Sequence, residues 1–152
     1  MSEMLANQYF LVRNFISAKS LYENILEKDP LNKSVKKKLT ICYVTTGEID
    51  KALDVFLSLI KEDIDFVINT DIKSEDCPCP ELISQIENQE KLFNDEKDKI
   101  TALGILWLYC SLDNSFEYFK KAELNNPDDK RISEIKAILT NKLVSDKQKS
   151  IN

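Results

Sequence analysis

Leu5, Tyr9, Ala18 and Tyr22 return 34 residues later as Leu39, Tyr43, Ala52 and Phe56. Four matches in register at one offset mark an internal repeat, which constrains the fold more than any composition does. A unit of this length is too short to enclose a core alone. It buries its apolar face by stacking on copies of itself, and the stack leaves an extended surface for a partner. Within the unit the pattern is helical. Leu5, Tyr9 and Val12 follow the i, i+4, i+7 spacing of one helix face, and Ile49, Ala52, Leu53, Phe56, Leu57 and Ile60 do the same along residues 49–60. Ala18 and Ala52 fall where two helices approach closely, so a larger side chain there would overpack. Tyr9, Tyr22, Tyr43, Phe56, Trp107 and Phe119 are expected to fill the wider gaps as core.

A third, degenerate copy runs through Ile100, Leu103, Gly104 and Trp107, then Ser115, Phe119, Ala122 and Pro127. It fits if one residue is missing between Trp107 and Ser115, near a turn at Asp113-Asn114. Asp29-Pro30 and Asn126-Pro127 suit helix exits, because proline disfavours helix in the residue before it. The two glycines are Gly47, at a turn, and Gly104, inside a helix. Gly104 is expected to permit a close helix contact at a cost of about 1 kcal/mol.

A 34-residue helix–turn–helix unit carrying Leu, a small residue, Tyr, then Ala, an aromatic and finally Pro resembles a tetratricopeptide repeat. The first copy supplies Leu5, Ala6, Tyr9, Ala18, Tyr22, Ile25 and Pro30; the second supplies Leu39, Thr40, Tyr43, Gly47, Ala52, Phe56 and Leu59. The chain departs from the family pattern at Ile64, where the closing proline would stand, and at Ile25 and Leu59, where the family has a small residue. The resemblance implies an all-α fold, a right-handed α-α superhelix of helical hairpins. Residues 1–31 and 32–63 would be two repeats, 64–96 an irregular acidic insertion and 97–128 the degenerate repeat. A capping helix would occupy 129–147 and a frayed tail 148–152, all in one domain. The capping helix carries Ile132, Ile135, Leu139 and Leu143 on one face. Its polar outer face is what a short array needs to remain soluble.

In that family the first helix of each pair lines the concave surface. Carried over, the lining would be Asn7, Phe10 and Leu11; then Lys37, Ile41 and Val44; then Thr101, Ile105, Leu108 and Tyr109. These residues lie beside the Leu5/Tyr9 and Leu39/Tyr43 face, and a helix apolar on two sides is covered on two sides. Either a partner helix or extended peptide fills this slot, with Lys37 orienting it, or the chain's own C-terminal helix or middle segment does. Family members that grip the carboxylate tail of chaperones carry Lys, Asn and Asn at the positions of Glu3, Asn7 and Lys38. Only Asn7 agrees, so that ligand is not implied.

Charge narrows the partner. The net charge of −5 is uneven: residues 1–61 carry nine Lys/Arg and seven Asp/Glu, residues 62–100 carry four and twelve, and residues 101–152 carry eight and seven. A general nucleic-acid binder needs a broad basic face, so no nucleic-acid partner is expected. Lys33, Lys36, Lys37 and Lys38 form one basic cluster at a helix start, an end that favours anions. It reads as a solvated face, or as an anchor for an acidic peptide or the chain's own acidic segment. No apolar run approaches the about 20 residues a membrane helix needs. With no charged-then-apolar export pattern either, a cytoplasmic protein is expected, although a trimmed chain would read the same.

In the middle segment, residues 64–69 are expected as a short helix and residues 70–80 as a loop. Pro80 would open the next helix as its first residue. Leu82, Ile83, Ile86, Leu92 and Phe93 would give that helix its apolar side. Cys77-Pro78-Cys79 is the one chemically unusual tripeptide. Zinc ordinarily takes four Cys or His ligands, and the chain has no histidine. Cys42 and Cys110 fall at apolar helical positions and read as core. Cys77 and Cys79 are candidates for a metal shared between two chains, or for redox chemistry. Glu75, Asp76 and Glu81 oppose thiolate formation, and a disulfide between residues two apart is geometrically poor.

Without histidine the chain lacks the commonest general base. It has no Gly-rich phosphate loop, and its carboxylates lie among lysines on polar faces. No catalytic residue and no cofactor is expected. Three readings remain: a non-catalytic adaptor binding another protein's peptide or helix, a homodimerising structural repeat protein, and a thiol or metal protein centred on Cys77 and Cys79.

Overall fold

The computed structural model describes residues 2–91 and 93–151. Among these the regular elements are all helical: α1 (Ser2–Leu11), α2 (Phe15–Lys28), α3 (Lys33–Thr45), α4 (Ile49–Ile68), α5 (Cys79–Glu87), α6 (Glu96–Trp107), α7 (Leu112–Asn125) and α8 (Lys130–Ile151). The chain divides into two compact units, Met1–Leu59 and Ile60–Asn152.

The repeat offset is written into the backbone of the first unit. α4 begins at Ile49, 34 residues after α2 begins at Phe15. The turns that precede these two helices match bond for bond. In the first, the amides of Asn14 and Arg13 donate to the carbonyls of Tyr9 (2.8 Å) and Phe10 (3.0 Å). In the second, the amides of Glu48 and Gly47 donate to Tyr43 (2.9 Å) and Val44 (3.2 Å). This pair of bonds satisfies the last carbonyls of a helix and needs one left-handed residue. Gly47 supplies it at φ +80° and Arg13 at φ +65°. Glycine has no Cβ to clash there, whereas an L side chain carries a cost of about 1–2 kcal/mol. Asparagines cap the starts of two helices: Asn14 Oδ1 accepts from the Ser17 amide at 3.2 Å, and Asn32 Oδ1 from the Val35 amide at 3.1 Å. Such caps are worth about 1 kcal/mol each.

α1 packs on α2 and α2 on α3. Ala18, Tyr22, Ala52 and Phe56 are buried, as their recurrence predicts, and so are Leu39 and Tyr43. In α1 the expected face is displaced by one residue. Ala6 and Phe10 are buried, whereas Leu5 and Val12 are exposed and Tyr9 is half-buried. The reason is aromatic: the Phe10 ring lies 5.6 Å from Phe15 and 6.3 Å from Tyr22, both edge-on, and this contact sets the rotation of the helix.

In the second unit, α4 breaks at Asp63, whose backbone is extended (φ −163°) and whose carboxylate accepts from the Phe66 amide at 3.3 Å. The short helix expected over 64–69 is therefore a capped final turn of α4. The segment expected to be irregular contains α5, which buries Leu82, Ile83 and Ile86 as their spacing predicts. It starts at Cys79, one residue before Pro80. Phe93 lies beyond the helix rather than in it, and Leu92 lies outside the described residues.

α6 packs on α5 and α7, and α7 on α8. The α6–α7 contact is set by Gly104. A Cβ there would stand 2.9 Å from the Phe119 ring, and Ser115 Oγ donates to the Gly104 carbonyl at 2.7 Å. Ser115, Phe119 and Ala122 are buried, as the third copy predicts, while Trp107 is half-buried. The turn falls at residues 108–111, not at Asp113-Asn114, because Ser111 Oγ accepts from the Asn114 amide at 3.2 Å and starts α7 early. Cys110 therefore lies exposed in that turn instead of in the core. α8 buries Ile132, Ile135 and Leu139. It continues to Ile151, through most of the tail expected to fray. Asn152 lies outside the described residues. Lys136 pairs with Glu123 at 2.8 Å, and two bridges tie α8 to the end of α4, Lys61–Glu134 (2.6 Å) and Lys142–Asp65 (2.8 Å).

Candidate functional site

The residues expected to line an apolar groove are mostly enclosed. In the first unit Phe10, Lys37, Ile41 and Val44 are buried; in the second, Thr101, Ile105, Leu108 and Tyr109 are. Leu11 is exposed and Asn7 half-buried. Asn7 has a structural task, its Oδ1 accepting from the Tyr22 hydroxyl (2.5 Å) and from Lys38 Nζ (3.1 Å), so that one amide joins α1, α2 and α3. A second network spans both hairpins. Lys19 Nζ meets Glu48 Oε2 at 2.6 Å, Thr46 Oγ1 donates to the same oxygen at 2.8 Å, and Lys51 reaches Oε1 at 3.3 Å. The Lys19 hydrogen bond, first among these, holds the Glu48 carboxyl at about 2.

The basic cluster is not a solvated face. Lys36 and Lys37 are buried, and Lys36 Nζ donates to Ser58 Oγ at 3.0 Å, joining α3 to α4. Its alkyl stem covers apolar surface while its head finds an oxygen. The first unit also exposes large apolar side chains. Met4 is 74 %, Leu11 57 %, Val12 71 % and Ile16 71 % accessible, with Leu5 at 46 %. Residues 4, 5, 11 and 12 share one side of a helical path, since i and i+7 lie one above the other. The sequence carries the signal for this surface as the Leu5/Val12 stripe, which periodicity alone assigns to the interior.

The second unit holds a thiol pair. Cys77 Sγ lies 2.8 Å from Cys79 Sγ, with Cys79 buried and Cys77 half-buried. The backbone holds them firmly. Asp71 accepts from the amides of Lys73 and Ser74 (both 3.2 Å), Asp76 turns left-handed at φ +50°, and the Cys77 amide donates to the Ile72 carbonyl at 3.0 Å. Pro78 then caps α5, and Cys79 opens it. This turn brings the two sulfurs together although the cysteines stand two residues apart. Cys110, although the residue is exposed, has its pKa raised by partial desolvation of its sulfur and, second, by Cys77. Cys42 is the core thiol expected, pushed up to about 12 by burial. Among the described residues no group of three or more His, Cys, Asp or Glu side chains is placed to hold a metal ion, and no helix is long and apolar enough to cross a membrane.

No family model, no curated protein and no solved structure matches the chain.

Proposed function

We propose that the chain is a non-catalytic protein-interaction module of tetratricopeptide-like helical hairpins, which binds an apolar helix or peptide of a partner protein through the outer side of α1. The observation that carries this reading is the exposed set Met4, Leu5, Leu11, Val12 and Ile16. Scattered exposed apolar residues are ordinary, but five within thirteen residues are a concentration of the kind that protein contacts use. The matching turns at Arg13 and Gly47 support the repeat reading, because each ends a helix in the same two bonds at the same offset. The enclosed lining of the second and third copies moves the proposed contact from a concave slot to the side of the first hairpin.

The test compares affinity capture by the intact protein and by a Leu11→Glu, Val12→Glu variant. Both sites are exposed, so the fold should survive while the captured proteins are lost. An unchanged set of captured proteins sinks the proposal. Light scattering over a concentration series examines the other occupant: a dimer that the same variant dissociates would assign this face to a second copy of the chain.

A further inference from the structure

We propose that Cys77 and Cys79 close into a reversible intrachain disulfide, which makes residues 71–79 a thiol–disulfide exchange site for small disulfides of the glutathione type. The two sulfurs stand 2.8 Å apart, and a disulfide closes at about 2.05 Å, so the bond needs an approach of under an ångström. That approach is prepared by chain that has little freedom left to lose. The Ile72–Cys77 hydrogen bond closes the turn at 3.0 Å. Prolines 78 and 80 fix their own φ angles on either side of Cys79, and α5 holds the backbone from Cys79 onward.

Access differs between the two thiols, and the difference assigns their roles. Cys77 is half-buried and meets the reagent; Cys79 is buried and resolves the intermediate. The Cys77 thiolate attacks one sulfur of oxidised glutathione. The S–S bond of glutathione breaks, a mixed disulfide forms on Cys77, and one glutathione thiolate leaves. The Cys79 thiolate then attacks Cys77 Sγ, forming the Cys77–Cys79 bond and releasing the second glutathione thiolate. The two protons given up by the cysteines end on the two glutathiones, and two electrons pass from the dithiol to the reagent. Cys110 is the rival resolving thiol, electrostatically coupled to Cys77 but seated in the turn after α6. Among the described residues no third metal-ligating side chain is grouped with the two sulfurs.

The full chain, reduced and equilibrated with graded ratios of oxidised to reduced glutathione, is quenched in acid, alkylated and mapped by mass spectrometry. At the oxidising end the peptide carrying residues 77–79 should lose both alkyl groups and the mass of two hydrogens, in the wild type and in Cys110→Ser alike. Cys79→Ser should stop at one glutathione on Cys77. Alkylation of both thiols at every ratio overturns the proposal, and so does a Cys77–Cys110 link. The wild-type map decides alone, so a folding failure of either variant leaves the test intact.

Discussion

The first two hairpins carry the same pattern and bury it differently. Leu5 is 46 % exposed, while Leu39, its counterpart in the second copy, is 1 % exposed. α3 has α2 on one side and is joined to α4 through Lys36 and Ser58, whereas α1 packs on α2. Burial follows position among the helices, not residue type. The turns teach the complementary lesson. One backbone shape serves both hairpins, with glycine relaxed in it at residue 47 and arginine strained in it at residue 13.

The largest expected effect breaks the comparison directly. Leu39→Ala should cost about 2–5 kcal/mol, the range for an enclosed leucine, and Leu5→Ala under about 1 kcal/mol. Urea denaturation of both variants measures the gap, and equal costs would mean that the two hairpins are packed alike after all. Next in size is Gly104→Ala. Its counterparts, Ala6 and Thr40, hold side chains, but a Cβ at residue 104 would stand 2.9 Å from the ring of a fully buried Phe119. Overpacking should outweigh the helix preference for alanine and destabilise by about 1–3 kcal/mol, with Phe119→Leu restoring part of the loss.

The turns give a smaller pair of opposite signs. Arg13→Gly should stabilise by up to about 1 kcal/mol, and Gly47→Ala should cost about 1 kcal/mol although nothing stands within 4 Å of its Cβ. Thermal melts of the two variants should therefore shift in opposite directions. The smallest effect concerns Glu48. Its folded-state carboxyl sits at about 2 against an ordinary 4.5, so the stability it contributes is complete above pH 4.5 and is lost as pH falls toward 2. Partly exposed pairs are screened, so Glu48→Gln should cost about 1 kcal/mol or less at neutral pH and flatten this part of the acid limb. An unchanged acid limb would show that Lys19 and Glu48 are not coupled.

The helices were legible wherever spacing alone decides them. α2 and α4 start one repeat apart, Leu82, Ile83 and Ile86 face inward, and Gly104 marks a close crossing. What failed depended on contacts that spacing does not carry. α1 has two apolar stripes, and only the Phe10–Phe15–Tyr22 cluster chooses between them. The third turn moved because one hydroxyl, Ser111, caps α7 early. The groove residues carried over from the family resemblance are mostly apolar, and a sequence does not say whether an apolar side ends against solvent or against another part of the chain. The approach of Cys77 to Cys79 hinges on a left-handed Asp76, which no periodicity announces.

Cys42 offers a use of its own. Its sulfur is out of reach of solvent and its proton is held to about pH 12, so a thiol reagent can label it only when the surrounding helices part. The labelling rate under native conditions is thus an internal clock for the opening of residues 1–59, readable at a native side chain with no cysteine introduced.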